Sequence, residues 1–239
     1  MKSIRKPLSR ISISYYVRLI LRSALFIWAL VYYIHNKLHA LKDFTPLLLG
    51  VWLFFVAEMI LRFFPSKLES MGCQKQFKRN YEPVDENAKP INQSWKRTAS
   101  VAVLCLTLNA IIGALYFTGI FDKGILILIS IAFSVCDIIC ILFFCPFQTW
   151  FMKNRCCTTC RIYNWDFAMI FTPLVFIPDG YTYSLLGFAL LLLLRWEITY
   201  KCHPERFSTA TNQCIICANC EEKLCLRKKK LQGFLNKYI

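Results

Sequence analysis

Two cysteine-rich stretches in the second half of the chain hold residues whose type and spacing could bind a metal. Each stretch contains a C-x2-C pair, and the four cysteines of these pairs are Cys157, Cys160, Cys217 and Cys220. Two C-x2-C units commonly offer four thiolates to one metal ion. We therefore predict a metal site at these four residues. Further ligands close by in the sequence could replace one of them: Cys156, Cys202, His203, Cys214 and Cys225.

The spacing of the cysteines is compatible with either a zinc ion or an iron–sulfur cluster. Four thiolates from two C-x2-C turns match a tetrahedral zinc site with metal–sulfur distances of about 2.3 Å. The tail also reads C-x2-C-x2-C-x4-C from Cys214 to Cys225, close to the bacterial ferredoxin pattern C-x2-C-x2-C-x3-C-P. It departs from that pattern by one extra residue before Cys225 and by Leu226 in place of proline. The alternative is a tail that binds no metal, or is lipidated at its juxtamembrane thiols.

The composition predicts a membrane protein around these cysteines. The chain has 239 residues, of which 56% are hydrophobic and 15% aromatic, and the hydrophobic residues occur in blocks. About 20 apolar residues cross a bilayer as a helix. The blocks of that length lie at 15–34, 44–64, 99–121 and 124–145. We expect the first to be an uncleaved helix because no small-residue cleavage site follows it.

The last hydrophobic region, 162–200, is interrupted by a Pro-Asp-Gly turn at 178–180. This pattern predicts either two short spans or a re-entrant hairpin that enters and leaves on one face. Both alternatives return the chain to the side that it left. We therefore predict an all-α, polytopic integral membrane protein with about six transmembrane segments and a cytosolic cysteine-rich cap.

The predicted organisation alternates membrane segments with cytosolic regions. In order, it has a basic N-terminal segment with two transmembrane helices (1–65), a polar cytosolic loop (66–98), a transmembrane helix pair (99–145), a cysteine-rich cytosolic loop (146–162), a membrane hairpin (163–200) and a cysteine-rich basic tail (201–239). The loop at 146–162 and the tail flank the same hairpin. Since packed helices lie about 8–10 Å apart, we expect the two C-x2-C pairs to be close in space.

The distribution of basic residues predicts the orientation in the membrane. The terminal-face loops hold 22 lysines and arginines, whereas the opposite loops hold 3. This positive-inside bias predicts a multi-pass protein of the cell membrane with both termini in the cytosol, where the thiols stay reduced. Topology and attraction to anionic lipid also explain the net charge of +15 without nucleic-acid binding. The partners that we expect are membrane lipid and a membrane redox or metal-transfer partner.

Ionisable residues inside the hydrophobic segments are costly and are expected to be paired. Glu58 and Arg62 are four residues apart, with the acid first, which is the favourable spacing for an ion pair on one helix. Asp166 and Arg195 lie near the cytosolic ends of the two hairpin arms. We predict a neutralising salt bridge within each of these two pairs.

Asp137 is a further ionisable residue within a hydrophobic segment, and it belongs to neither of these pairs. Its own helix supplies no cation at a distance of three or four residues. Two accounts remain open from the sequence. In one, Asp137 is protonated and hydrogen-bonded to Asn109 of the preceding helix. In the other, it is a carboxylate that relays protons or binds an ion.

Three functions follow from these features, in decreasing order of support. The first is a binding or electron-transfer module with a metal at the cytosolic membrane face. The second is a metal-sensing or metal-handling membrane protein, with Asp137 on the route of the metal. The third is an enzyme that acts on lipid. The third ranks last because the chain has only 3 histidines and no recognisable catalytic motif, so we assign no catalytic residue.

Overall fold

The structure is a computed structural model, and it describes residues 10–36, 45–65, 71–85, 87–91, 94–154 and 159–216. Within these residues the chain is helical and has no β-strand, so the predicted all-α class is confirmed. Three helices are long and apolar enough to cross a membrane: Ser12–His35, Trp95–Phe117 and Lys123–Leu142. Their length and composition are compatible with a membrane protein.

Seven α-helices are present in the described part of the chain. They are α1 (Arg10–Asn36), α2 (Thr45–Leu61), α3 (Met71–Gln76), α4 (Trp95–Phe117), α5 (Lys123–Leu142), α6 (Asp166–Phe171) and α7 (Gly180–Cys202). Short 3-10 turns occupy Lys78–Asn80, Arg161–Trp165, Thr172–Phe176, Pro204–Phe207 and Gln213–Ile215, and a π-helical turn occupies Phe147–Phe151.

The hydrophobic region at 162–200 forms two unequal arms. The first arm is broken into a 3-10 turn, the short helix α6 and a second 3-10 turn that contains Pro173. Proline lacks a backbone N–H, and in an α-helix its ring clashes with the carbonyl of the residue four positions earlier. The α-helix therefore does not continue there. The second arm is the 23-residue helix α7. The two arms contact each other, and the first of them is irregular.

The main core lies where α2, α6 and α7 meet. Its fully buried side chains include Met59, Phe167 and Leu192, with exposed fractions of 0%, 1% and 1%. Helix α1 packs along α5, and α4 packs against the 3-10 turn at Thr172–Phe176. Gly113 of α4 permits that last contact, because a Cβ atom there would lie 2.4 Å from the Phe176 ring.

The end of α1 and the start of α5 lie together. Asp122 caps α5 by accepting a hydrogen bond from the Ile125 N–H at 2.9 Å. The Tyr33 hydroxyl near the end of α1 donates to the other carboxylate oxygen of Asp122, also at 2.9 Å. The turn before it contains Gly119 with a φ of +78°, a conformation that glycine adopts without strain.

Candidate functional site

The predicted metal ligands are only partly within the described residues. Of the four principal ligands, Cys160 is described, whereas Cys157, Cys217 and Cys220 lie outside the described residues. The additional ligands Cys156 and Cys225 also lie outside them. Cys160 is 4% exposed and packs with Val101 and Met152.

The other predicted ligands that the structure describes are spread over the end of α7 and the segment after it. Cys202 is the last residue of α7 and is exposed. His203 follows it, with Nδ1 3.1 Å from the Glu205 carboxylate. Within the described residues, no group of three or more Cys, His, Asp or Glu side chains converges closely enough to hold a metal ion.

Cys214 lies in the last described 3-10 turn. Its backbone N–H donates to Asn212 Oδ1 at 3.1 Å. Burial raises the pKa of the Cys214 thiol, and the neighbouring Glu82 carboxylate raises it further, while Lys75 acts in the opposite direction. The thiol is therefore held in its neutral form more firmly than a thiol in water.

The first arm of the hairpin and the segment after the hairpin both contact α3. Asn164 donates from Nδ2 to Gln76 Oε1 at 3.0 Å. Asn212 donates from Nδ2 to the Lys75 carbonyl at 3.1 Å and is 0% exposed. Backbone hydrogen bonds extend this contact, including the one from Gln213 N–H to the Glu82 carbonyl at 2.8 Å. The buried amides thus attach two distant segments to neighbouring residues of one short helix.

A cluster of buried charges lies deeper, between the helices, and Arg22 of α1 is at its centre. Arg22 is 1% exposed. Its guanidinium lies 2.6 Å from Glu58 Oε2 and 3.5 Å from Asp137 Oδ2, and it donates to the Ser134 carbonyl at 2.8 Å. Arg18, one turn earlier, places Nε 3.2 Å from Glu58 Oε1. Helix α1 thus supplies cations to carboxylates on α2 and α5.

A second ion pair joins α2 to α6. Arg62 Nη1 lies 2.5 Å from Asp166 Oδ2, and the Arg62 guanidinium also lies 4.5 Å from the centre of the Phe167 ring. Arg62 is 1% exposed and Asp166 is 7% exposed. In the charged state, the three arginines of the cluster balance its three carboxylates, which lowers the cost of burying each charge.

Both ion pairs predicted from the sequence are wrong. Glu58 faces α1 and pairs with Arg18 and Arg22 rather than with Arg62. Arg195 donates to the Phe63 carbonyl, and its guanidinium lies 5.1 Å from the centre of the Phe63 ring. For Glu58 the reason is that arginines of the neighbouring helix α1 reach it, whereas pairing with Arg62 along its own helix would gain only about 0.2–0.5 kcal/mol. For Asp166 the reason is that Arg62 of α2 lies next to it, whereas Arg195 contacts Phe63.

The hydrogen bond from Asp137 to Asn109, one of the two accounts from the sequence, is not formed between these described residues. Asn109 instead donates from Nδ2 to the Cys105 carbonyl of its own helix at 3.0 Å. Asp137 has its cation on α1. The spacing of residues within α5 does not show that α1 is the neighbouring helix that supplies this cation.

Asp137 also lines a cavity of about 170 Å³ between α4, α5 and α6. Five cysteines contribute to its lining: Cys105, Cys136, Cys140, Cys145 and Cys160. The cavity was not predicted from the sequence, although the four-residue spacing of Cys136 and Cys140, one helical turn, indicates that these two share a face of α5. Cys160 therefore belongs both to the predicted metal ligands and to the cavity wall.

Over the described residues, the fold and this site define an all-helical protein with three helices long and apolar enough to span a membrane and with charged residues buried between helices. No family model, curated protein or solved structure matches the chain.

Proposed function

We propose that the protein is a multi-pass protein of the cell membrane, with about six segments and both termini in the cytosol. The charge bias of the loops supports this orientation. The buried charge cluster also supports it. Arg22 lies in the first half of α1, whereas Glu58 and Asp137 lie near the ends of α2 and α5. Their contacts place the start of α1 level with the ends of the other two helices, as successive crossings require.

We propose further that a cysteine-rich cap on the cytosolic face holds a zinc ion or an iron–sulfur cluster. Its ligands would be Cys157, Cys160, Cys217 and Cys220. The observation that carries this proposal is the attachment of Asn164 and Asn212 to neighbouring residues of α3. Cys160 precedes Asn164 by four residues, and Cys217 follows Asn212 by five. A few residues of chain span over 10 Å, so both C-x2-C pairs are within reach of one metal.

The first function for such a site is electron transfer with a membrane partner. A second function, handling or sensing of a metal, is favoured by one observation. Cys160 lines the cavity that continues to Cys140 and Asp137. A metal released from the cap would meet soft thiol ligands along this wall before it reached a carboxylate. Catalysis on lipid remains the least supported function.

Elemental analysis and the visible spectrum of anaerobically purified protein test the metal proposal. A broad brown absorption with iron and sulfide indicates a cluster, and a colourless sample with zinc indicates a thiolate zinc site. The double variants Cys157→Ser/Cys160→Ser and Cys217→Ser/Cys220→Ser should each lose the metal. Cys136→Ser, on the exposed face of α5, is the matched control and should retain it. Wild-type protein that contains neither metal would refute the proposal.

A further inference from the structure

The cavity between α4, α5 and α6 is lined largely by apolar groups and is not fully enclosed. Leu108 of α4 and Cys136 of α5 form part of its wall and are exposed residues, Leu108 by 44%. Both belong to helices that are long and apolar enough to span a membrane. A molecule dissolved in the bilayer could therefore enter the cavity between these helices.

The size and the lining of the cavity favour a single aromatic ring. Its volume is about 170 Å³, and an apolar protein cavity of about 150 Å³ admits benzene. Five cysteines and Met169 contribute to the wall. Sulfur is polarisable and makes favourable contacts with aromatic rings, which gives a ring an advantage over an acyl chain of the same volume.

Two buried oxygen atoms in the wall require hydrogen-bond donors. Asn109 is 9% exposed and Asp166 is 7% exposed, and both line the cavity. The Oδ1 atom of each has no hydrogen-bond partner among the described residues. An acceptor buried without a donor costs about 1–3 kcal/mol. A ligand that carries a hydroxyl group would remove that cost, whereas an ether or hydrocarbon of the same shape would not.

We propose that this cavity binds a hydroxylated aromatic ring, with the ring against the sulfur atoms and a hydroxyl group donating to Asn109 Oδ1. Asp166 Oδ1 offers a second acceptor to a ring with two hydroxyl groups. The proposal does not depend on the metal site, since Asn109, Asp166 and the helices that carry them lie outside the cap.

The experiment measures how three small aromatic compounds protect the cavity thiols. Wild-type protein in phosphatidylcholine nanodiscs is alkylated with N-ethylmaleimide, and the rate at each cysteine is followed by peptide mass spectrometry. Phenol, anisole and toluene are compared over the same range of concentrations in the membrane. Phenol should slow alkylation of Cys105 at about one tenth of the concentration that anisole or toluene needs. Alkylation of Cys202, outside the cavity, should not change.

Two results would overturn the proposal. If the three compounds protect Cys105 equally, the cavity is merely apolar and its acceptors are served by water. If none protects it, no such ring binds. In Asn109→Leu, phenol should lose most of its advantage while toluene protects as before, and an unchanged advantage would also refute the assignment. Ser100→Ala, at an exposed position of the same helix, is the control. The wild-type comparison remains decisive if Asn109→Leu does not fold.

A fourth compound, 4-decylphenol, distinguishes the source of the ring. Protection at a lower membrane concentration than phenol supports a ring carried on a lipid chain. Protection at the same concentration supports a free phenol. The cap variant Cys217→Ser/Cys220→Ser changes no residue that lines the cavity and should give the wild-type preference for phenol, so the failure of the metal proposal would leave this one intact.

Discussion

Arg22 Nη2 lies 2.6 Å from Glu58 Oε2, and the two residues are 1% and 6% exposed. This contact joins α1 to α2 at the level where Asp137 of α5 also approaches the Arg22 guanidinium. One arginine thereby neutralises carboxylates from two helices. The first predicted segment is thus an integral part of the helix assembly, because its arginines Arg18 and Arg22 pair with carboxylates of neighbouring helices.

Arg22→Met should strongly destabilise the protein, because it leaves Glu58 and Asp137 with less compensating charge. Breaking a buried ion pair by removing one partner costs about 3–5 kcal/mol. The midpoint of thermal unfolding in detergent, followed by circular dichroism, measures the effect. Lys123→Met is the control, since Lys123 is an exposed cation at the start of α5. Equal midpoints for the two variants would contradict the assigned role of Arg22.

A double-mutant cycle should separate the observed partner of Asp166 from the partner predicted from the sequence. Asp166→Asn combined with Arg62→Met should show a coupling free energy of about 0.5–3 kcal/mol, because the two side chains are in contact. Asp166→Asn combined with Arg195→Met should be additive, within about 0.5 kcal/mol, because Arg195 contacts the Phe63 carbonyl. Unfolding in detergent measures both cycles. If Asp166 is coupled to Arg195 and not to Arg62, the described contact between α2 and α6 is contradicted.

Much of the fold was predictable because long apolar runs determine membrane helices locally. The block at 124–145 corresponds to α5 at Lys123–Leu142, and the block at 99–121 to α4 at Trp95–Phe117. The Pro-Asp-Gly turn at 178–180 was visible in the sequence as well, and α7 begins at Gly180. The charge pairs were not predictable, since their geometry depends on which helices are neighbours. Spacing within one helix carries no information on that choice, and Asp137 illustrates this because its cation is 115 residues away.

The reactivity of Cys214 should depend on Glu82 and Lys75 in opposite directions. Because burial and Glu82 raise the pKa of this thiol, less thiolate is present at a given pH and alkylation is slow. Glu82→Gln should lower the pKa and accelerate alkylation by iodoacetamide near pH 8. Lys75→Met should raise the pKa and slow it. Rates measured by mass spectrometry on chelator-treated protein test both, and changes in the same direction would contradict the electrostatic cause.

The orientation in the membrane can be tested with reporter fusions. Reporters fused after Ile239 and within 66–98 should be active as cytosolic fusions, and reporters near Lys42 and Lys123 should be active outside. The hydrogen bond between Tyr33 and Asp122 supports a shared side for the end of α1 and the start of α5. A cytosolic signal near Lys123 together with one after Ile239 would contradict the proposed number of crossings between them.

Loss of the proposed metal should expose the tail to protease. A structural zinc site contributes about 10–16 kcal/mol of apparent binding free energy, which would hold residues 217–239 against the loop before the hairpin. The tail contains a basic run at 227–230 that trypsin can cleave. Cys157→Ser/Cys160→Ser should therefore be cut there faster than wild type, although the changed residues lie about 70 positions earlier in the sequence.

Changing both cysteines prevents one neighbour from replacing the other. Cys136→Ser is the control, and chelator treatment of wild-type protein should reproduce the faster cleavage. If the double variant keeps its metal and its protection, the two C-x2-C pairs do not share a metal. The ligands would then have to come from the tail alone, through Cys214, Cys217, Cys220 and Cys225.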